Sequence, residues 1–268
     1  MSTFQSKQVL VTGGASGIGK IMGRLALERG AARLIIWDIN PDAMEATRRE
    51  LSELGTVSCY RVDISSGEAI REAACQVKEQ VGEVDILINN AGIVVGKYFH
   101  EHTPEEIIRT MEINALAPMQ VAAAFLPGMI SRNSGHLCTI ASSAGLISNP
   151  RMSVYVASKW AVTGWSDSVR IEMQQLKKNI AVTTVTPYYI STGMFDGVKS
   201  LVPILKPETA ARKIIRGIER NRIFVSMPWS VHFVRFGQGI LSVRLFDWLV
   251  GNVMGVYHTM DHFKGRKN

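Results

Sequence analysis

Seven short runs rich in Val, Ile and Leu recur along the chain, and most are continuous instead of alternating with polar residues. They are QVLVTG (8–13), RLIIWDI (33–39), CYRVDI (59–64), VDILINNAG (84–92), HLCTIASS (136–143), IAVTTVTP (180–187) and RIFVSMP (222–228). A strand that is apolar at nearly every position has both faces covered, the condition of a parallel sheet held between two layers of helix. Helix-length segments lie between the runs. Ile18 to Arg29 follows a glycine-rich turn and stops at Gly30, and Pro41 to Leu54 opens on proline and ends before Gly55. Thr103 precedes Pro104-Glu105-Glu106 as a cap with carboxylates in the first turn.

This alternation predicts an α/β fold, a single doubly wound parallel sheet of the Rossmann type over residues 1–228, with a C-terminal amphipathic extension over 229–268. In such a sheet ligands bind beyond the carboxyl ends of the strands, so functional residues are expected just after each run. The composition, 46% apolar and 20% charged, excludes disorder, collagen and coiled coil. Three widely spaced cysteines, Cys59, Cys75 and Cys138, exclude a disulfide framework or a cysteine zinc site and suit a reducing compartment. A strand-like run begins within eight residues of Met1, so no secretory leader is expected and the reading is cytoplasmic.

The first run leads into Thr12-Gly13-Gly14-Ala15-Ser16-Gly17-Ile18-Gly19, with glycines where a tight turn brings backbone against a pyrophosphate at a helix N-terminus. Gly13, Ser16, Gly17, Ile18 and Gly19 are therefore candidate cofactor contacts. Asp38 ends the second run, 19 residues after Gly19, where a carboxylate accepts hydrogen bonds from ribose hydroxyls and repels a 2′-phosphate. Neither Ser16 nor Ile39 and Asn40 supplies a cation, so NAD is expected and not NADP. Asp63 and Ile64, after the third run, are placed beside the adenine ring, although a loop aspartate explains Asp63 equally well. Asn90, Ala91 and Gly92, after the fourth, put small and amide side chains where the chain passes the cofactor. Asn89 reads equally as structural or as a contact.

Tyr155 and Lys159 stand four apart in a helical segment and share one face, and Ser142 closes the fifth run at the same sheet edge. Oxidising an alcohol by hydride transfer also requires removal of the hydroxyl proton, and a phenol of pKa near 10 is too weak a base at neutral pH. Bringing it toward neutrality takes about 3 to 4 kcal/mol of preferential phenolate stabilisation, which an adjacent ammonium and an oxidised nicotinamide ring together can supply.

With Thr12-Gly13-x-x-x-Gly17-x-Gly19, Asn89-Asn90-Ala91-Gly92, Ser142 and Tyr155-x-x-x-Lys159 in this order, the sequence resembles the short-chain dehydrogenase/reductase family from about residue 8 to residue 228. The resemblance selects Ser142, 13 residues before Tyr155, over Ser143. It also implies that Asn114 sits at a helix irregularity and holds a water linking the lysine to solvent, and that Pro187 and Thr192 line the nicotinamide end. Tyr188 departs from the pattern, taking the place where the family usually has glycine. LIIWDIN, PYYISTGMF and the Pro203–Pro207 segment resemble the branch of retinol and hydroxysteroid dehydrogenases, which implies a lipophilic secondary or allylic alcohol such as a sterol, retinoid or long-chain alcohol.

Met194, Phe195, Val198, Leu201, Val202 and Leu205 suit an oily substrate-covering loop, and ordinary core packing explains them too. Residues 199–268 carry 12 Lys and Arg against 4 Asp and Glu, so the net charge of +7 resides in this region. Its aromatic and basic residues, from Trp229 to Tyr257, contain no uncharged stretch long enough to span a bilayer. They suit peripheral contact with a membrane or, equally, a subunit contact in a homo-oligomer, dimer or tetramer. Nucleic acid is not expected as a partner. The competing functions are an NADP-dependent carbonyl reductase of the same fold and a non-catalytic dinucleotide-binding scaffold.

Overall fold

The computed structural model describes residues 1–265; Arg266, Lys267 and Asn268, the end of the expected extension, lie outside the described residues. Seven strands form one parallel sheet: β1 (Gln8–Thr12), β2 (Arg33–Asp38), β3 (Thr56–Arg61), β4 (Ile86–Asn89), β5 (Gly135–Ile140), β6 (Ile180–Pro187) and β7 (Phe224–Met227). Their order is β3-β2-β1-β4-β5-β6-β7, and every pairing is parallel.

The continuous apolar runs are explained residue by residue. On β1, Val9 and Val11 point into one core and Leu10 into another, and all three are fully buried. Strand β2 alternates in the same way, Leu34 and Ile36 against Ile35 and Trp37, as do Ile86 and Ile88 against Leu87 on β4. The first core is closed by α1 (Gly17–Leu27), α2 (Pro41–Leu51) and α7 (Pro207–Glu219), through Met22, Met44 and Ile214. The second is closed by α3 (Gly67–Gln80), α5 (Ala117–Arg132) and α6 (Ser153–Gln175), through Val77, Phe125 and Val169.

One strand differs from the sequence reading. β3 begins at Thr56 and ends at Arg61, three residues ahead of the apolar run at 59–64. It is the edge of the sheet and only partly covered, so it needs no continuous apolar stretch, and Asp63 and Ile64 fall in the loop beyond it. Helix α2 likewise stops at Leu51, three residues before the expected end. Thr103 caps α4 (Pro104–Met111) as expected: its hydroxyl accepts from Glu106 N at 3.3 Å while the Glu106 carboxylate accepts from Thr103 N at 3.1 Å.

The strand order reverses between β1 and β4, and the crevice there is the switch point of the fold. Thr12 bridges it, its hydroxyl oxygen accepting from Asn90 N at 3.0 Å and Ala91 N at 3.1 Å. Beyond β7 the chain runs through short helical elements, including α8 (Val234–Ile240) and α9 (Val243–Asp247). The helix from Pro104 to Arg132 is long and apolar enough to cross a membrane by composition, but Val121, Phe125 and Met129 pack in the second core.

At the amino end of the strands, on β5, His136 is buried, with its ring nitrogens 2.9 Å from Ser2 Oγ and 2.9 Å from Thr183 Oγ1. Burial holds its imidazole down at about 3. The unfolded chain takes up this proton near pH 6.5 and the folded one does not, so stability falls as pH drops from about 6.5 toward 3, by up to about 1.4 kcal/mol per pH unit. In urea denaturation at neutral and mildly acidic pH, His136→Gln is expected to lose this part of the pH dependence. Equal pH slopes for the two proteins would contradict the assignment.

Candidate active site

A cavity of about 320 Å³ opens beyond the carboxyl ends of the strands. The sequence candidates Gly13, Ser16, Gly17, Ile18, Asp38, Asp63, Ile64, Asn90, Ala91, Gly92, Ser142, Tyr155, Lys159, Pro187 and Thr192 all line it. Gly19 and Asn114 do not. Gly19 lies where α1 packs on its own loop: a Cβ there would collide with the Gly13 carbonyl oxygen and lie 2.6 Å from Asn90 Nδ2. Only glycine permits that closeness, so this residue shapes the turn from behind.

The turn is tied down by its neighbours. Asn90 Nδ2 donates to Thr12 O at 3.0 Å and Gly13 O at 3.2 Å, and the Asp38 carboxylate accepts from Ala15 N at 3.1 Å and Asn40 N at 3.1 Å. Asp38 thus supports the glycine-rich loop while still facing the cavity. Asn89 is structural, donating from a buried position to Pro118 O at 3.0 Å. Gly17, in the left-handed region, faces Thr192 across the cleft, a Cβ there lying 3.8 Å from the threonine. Glycine turn, ribose-side carboxylate and small-residue loop around one elongated cavity fit a dinucleotide.

At the other end Tyr155 and Lys159 project from one face of α6, both buried. Lys159 Nζ donates to Ile140 O at 3.0 Å and lies 5.6 Å from the centre of the Tyr155 ring. Ser142 accepts from Ala144 N at 3.1 Å, and its hydroxyl donates to Pro187 O over a long 3.5 Å, so its proton is weakly held by the backbone and is also within reach of the Tyr155 phenol. Asn114 sits in a π-helical turn, Glu112–Leu116, between α4 and α5. Its amide pairs with the Ile93 backbone, accepting from N and donating to O, both at 2.9 Å. It therefore acts on the site through the loop at 92–93. A Cβ on Gly92 would lie 3.1 Å from Asn114 Oδ1, a tight contact that the glycine avoids.

Burial governs both ionisable groups. It pushes the Tyr155 phenol up to about 12, against the opposing influence of the Ser142 hydroxyl, and pulls the Lys159 ammonium down to about 8. The activation of the phenol expected from the sequence is thus not supplied by the polypeptide alone, because the lysine is desolvated with it.

The structure adds residues that no local motif announces. Arg109, from α4, is the only cation besides Lys159 on the cavity wall among the described residues. It reinforces the hydrogen bonds from Ser65 that hold the Asp63 carboxyl below its usual range. The C-terminal segment also packs on the site: Met260 and Phe263 join Tyr155, Tyr189 and Phe195 in one apolar cluster. Thr259 Oγ1 accepts from Asn149 Nδ2 at 2.9 Å, and Lys199 N donates to Thr259 O at 3.3 Å. Part of the expected extension is therefore a strap over the 194–199 loop.

A family model described as short chain dehydrogenase matches residues 7–201. The chain belongs to this family. It is an oxidoreductase related to retinol and steroid dehydrogenases. It is 40% identical to epidermal retinol dehydrogenase 2 of Mus musculus, over 97% of this chain and 85% of that one. Estradiol 17-beta-dehydrogenase 11 of Pongo abelii is 34% identical, over 88% of this chain and 79% of its own. Among solved structures, a short-chain dehydrogenase/reductase from Burkholderia phymatum in complex with NAD superposes with a TM-score of 0.81 at 23% identity, covering 88% of this chain and 94% of that one. A metagenomic short-chain oxidoreductase in complex with NADP gives 0.71 at 28% identity, covering 84% and 96%. The family works with a nicotinamide dinucleotide.

Removing the lysine tests the electrostatic picture. Below about pH 8 the folded dehydrogenase carries a desolvated ammonium, so wild-type stability gains up to about 1.4 kcal/mol per pH unit between about pH 8 and 10.5 from this group. Lys159→Met is expected to lose that gain and to be no less stable at neutral pH, because an apolar chain replaces a buried charge. A loss above about 2 kcal/mol in urea denaturation at pH 7 would contradict it.

Proposed function

We propose that the protein interconverts a lipophilic secondary or allylic alcohol, such as a sterol, retinoid or long-chain alcohol, with its carbonyl compound, using NAD. The observation that carries this reading is the convergence of Ser142, Tyr155 and Lys159 on one cavity with the glycine-rich turn. The cavity wall adds Met194, Phe195 and Tyr188, a surface suited to hydrocarbon.

A bound nicotinamide dinucleotide would accept or return the hydride and, when oxidised, add a positive charge near the phenol. In the oxidation direction the Ser142 hydroxyl donates a hydrogen bond to the substrate oxygen and orients it, keeping its own proton. Tyr155 Oη takes the hydroxyl proton, as general base, and Lys159 holds the ionised phenol by charge. In the reverse direction Tyr155 returns the proton to the carbonyl oxygen. Asn114 keeps the 92–93 loop in place against Lys159.

Asp38 supports NAD, since its carboxylate faces the cavity and opposes a 2′-phosphate. Arg109 is the observation that favours the second reading, an NADP-dependent reductase, because it brings to the cavity wall a cation that Ser16, Ile39 and Asn40 do not supply. Exposed Trp229, Phe233, Phe236 and Ile240, near Arg235 and Arg244, support a cytoplasmic protein that touches a membrane surface peripherally.

Tyr155→Phe is expected to cut turnover at least about 100-fold while leaving NAD affinity close to wild type, measured by turnover of a panel of sterols, retinol and alkanols and by fluorescence titration of NAD. Turnover comparable to wild type would mean that another base works. Asp38→Asn, which retains an acceptor for the loop, is expected to weaken NAD binding and to shift preference toward NADP. Arg109→Ala is expected to leave the NAD to NADP preference in place, and a selective loss of NADP binding in it would move the assignment to the second reading.

A further inference from the structure

A second cavity of about 320 Å³ lies among the C-terminal elements, walled by Val231, Val234, Leu241, Phe246 and Val250 and bordered by the exposed Phe233 and Phe236. Among the described residues that line it, only Tyr188 and Ser230 have polar side chains and none is charged. Tyr188 also lines the active-site cavity, and it lines the small space between the two, of about 30 Å³. That space is bounded by Ser142 and Phe195, which face the active site, and by Ile147 and Val256, which face the apolar cavity. The three spaces thus adjoin one another, with Tyr188 lining all of them.

We propose that the apolar cavity holds the hydrocarbon tail of the alcohol whose hydroxyl lies at Tyr155, and that Tyr188 sets the length at which a tail enters it. The inference rests on the reading of the site as an alcohol oxidoreductase. It commits to one occupant because the cavity shares the Tyr188 wall with the reacting site and offers nothing to a charged or strongly polar group. A chamber of this volume falls in the range of small-molecule pockets. Tyr188 is held in the wall that the spaces share. Its hydroxyl lies 2.9 Å from Ser200 Oγ, its backbone N donates to Met227 O at 2.7 Å, and its ring meets the edge of Tyr189 at 4.6 Å between centres. A ring fixed at three points admits a narrow, flexible chain more readily than a wide, rigid one.

The test is kcat/KM for secondary alkanols lengthened one carbon at a time, with NAD and the full chain. Short members are expected to differ little. Once the tail is long enough to pass Tyr188, each further methylene is expected to raise kcat/KM about fourfold until the cavity is filled. Leu241→Trp, at a half-exposed position that tolerates bulk, is expected to end the rise at a shorter length. Tyr188→Ala is expected to start it at a shorter length. Calorimetric binding of dodecan-2-ol and butan-2-ol to Tyr155→Phe gives the same comparison without turnover, and tighter binding of the longer alcohol is expected.

If alkanols are oxidised with no dependence on chain length, the tail site is overturned and the oxidoreductase reading stands. If no alkanol is oxidised but the longer one binds more tightly, in a manner weakened by Leu241→Trp, the tail site stands and the reading of the reaction fails. If Leu241→Trp leaves the chain-length profile intact but changes the sedimentation of the protein, or its binding to anionic vesicles, the cavity is covered by a second copy or by lipid and the proposal is overturned.

Discussion

The interaction on which the site depends is the burial of a phenol and an ammonium side by side, with no carboxylate among the residues that share their end of the cavity. Burial disfavours the charged form of each, and the values near 12 for Tyr155 and near 8 for Lys159 express that cost. The dry environment that opposes ionisation also strengthens any charge brought into it. An added cation would favour the ionised phenol, and in the function proposed here the oxidised nicotinamide would supply one.

The fold serves this arrangement by rigidity. The sheet edge carries Ser142 and the glycine-rich turn, α6 carries Tyr155 and Lys159, and the reversal of strand order between β1 and β4 opens the crevice between them. Thr12 and Asn90 clamp the crevice with backbone hydrogen bonds, and Asn114 fixes the adjoining loop. Each of these groups acts by holding backbone, and none needs to touch a substrate. The C-terminal strap extends the same principle to the oily side, where Thr259 and Met260 hold the 194–199 loop against Tyr155.

Much of this was legible in the sequence because it is local. Strands buried on both faces are apolar at consecutive positions, so six of the seven were found close to their bounds, whereas the edge strand β3 lacks that signal and was placed three residues late. The glycine turn, Asp38 and the Tyr155/Lys159 spacing are short-range patterns with a chemical purpose. Arg109 was missed because its place beside Asp63 depends on how α4 lies over the sheet, and nothing in PEEIIRTM marks it. The cavity around Tyr188 was missed for a related reason: residues from 147 to 256 meet there, and only the departure from the expected glycine at 188 hinted at an unusual wall. The lysine's own desolvation was missed because it depends on burial, which spacing does not reveal.

The most direct test of the account is the titration of Tyr155 by carbon-13 NMR of ring-labelled tyrosine, with the resonance assigned through its loss in Tyr155→Phe. In the protein alone the phenol is expected to stay protonated to the alkaline limit of folding, in keeping with a value near 12. With saturating NAD the midpoint is expected to fall below about 10, the ordinary value for a phenol. A midpoint that does not move when NAD binds would contradict the claim that the buried tyrosine is the proton acceptor activated by charge.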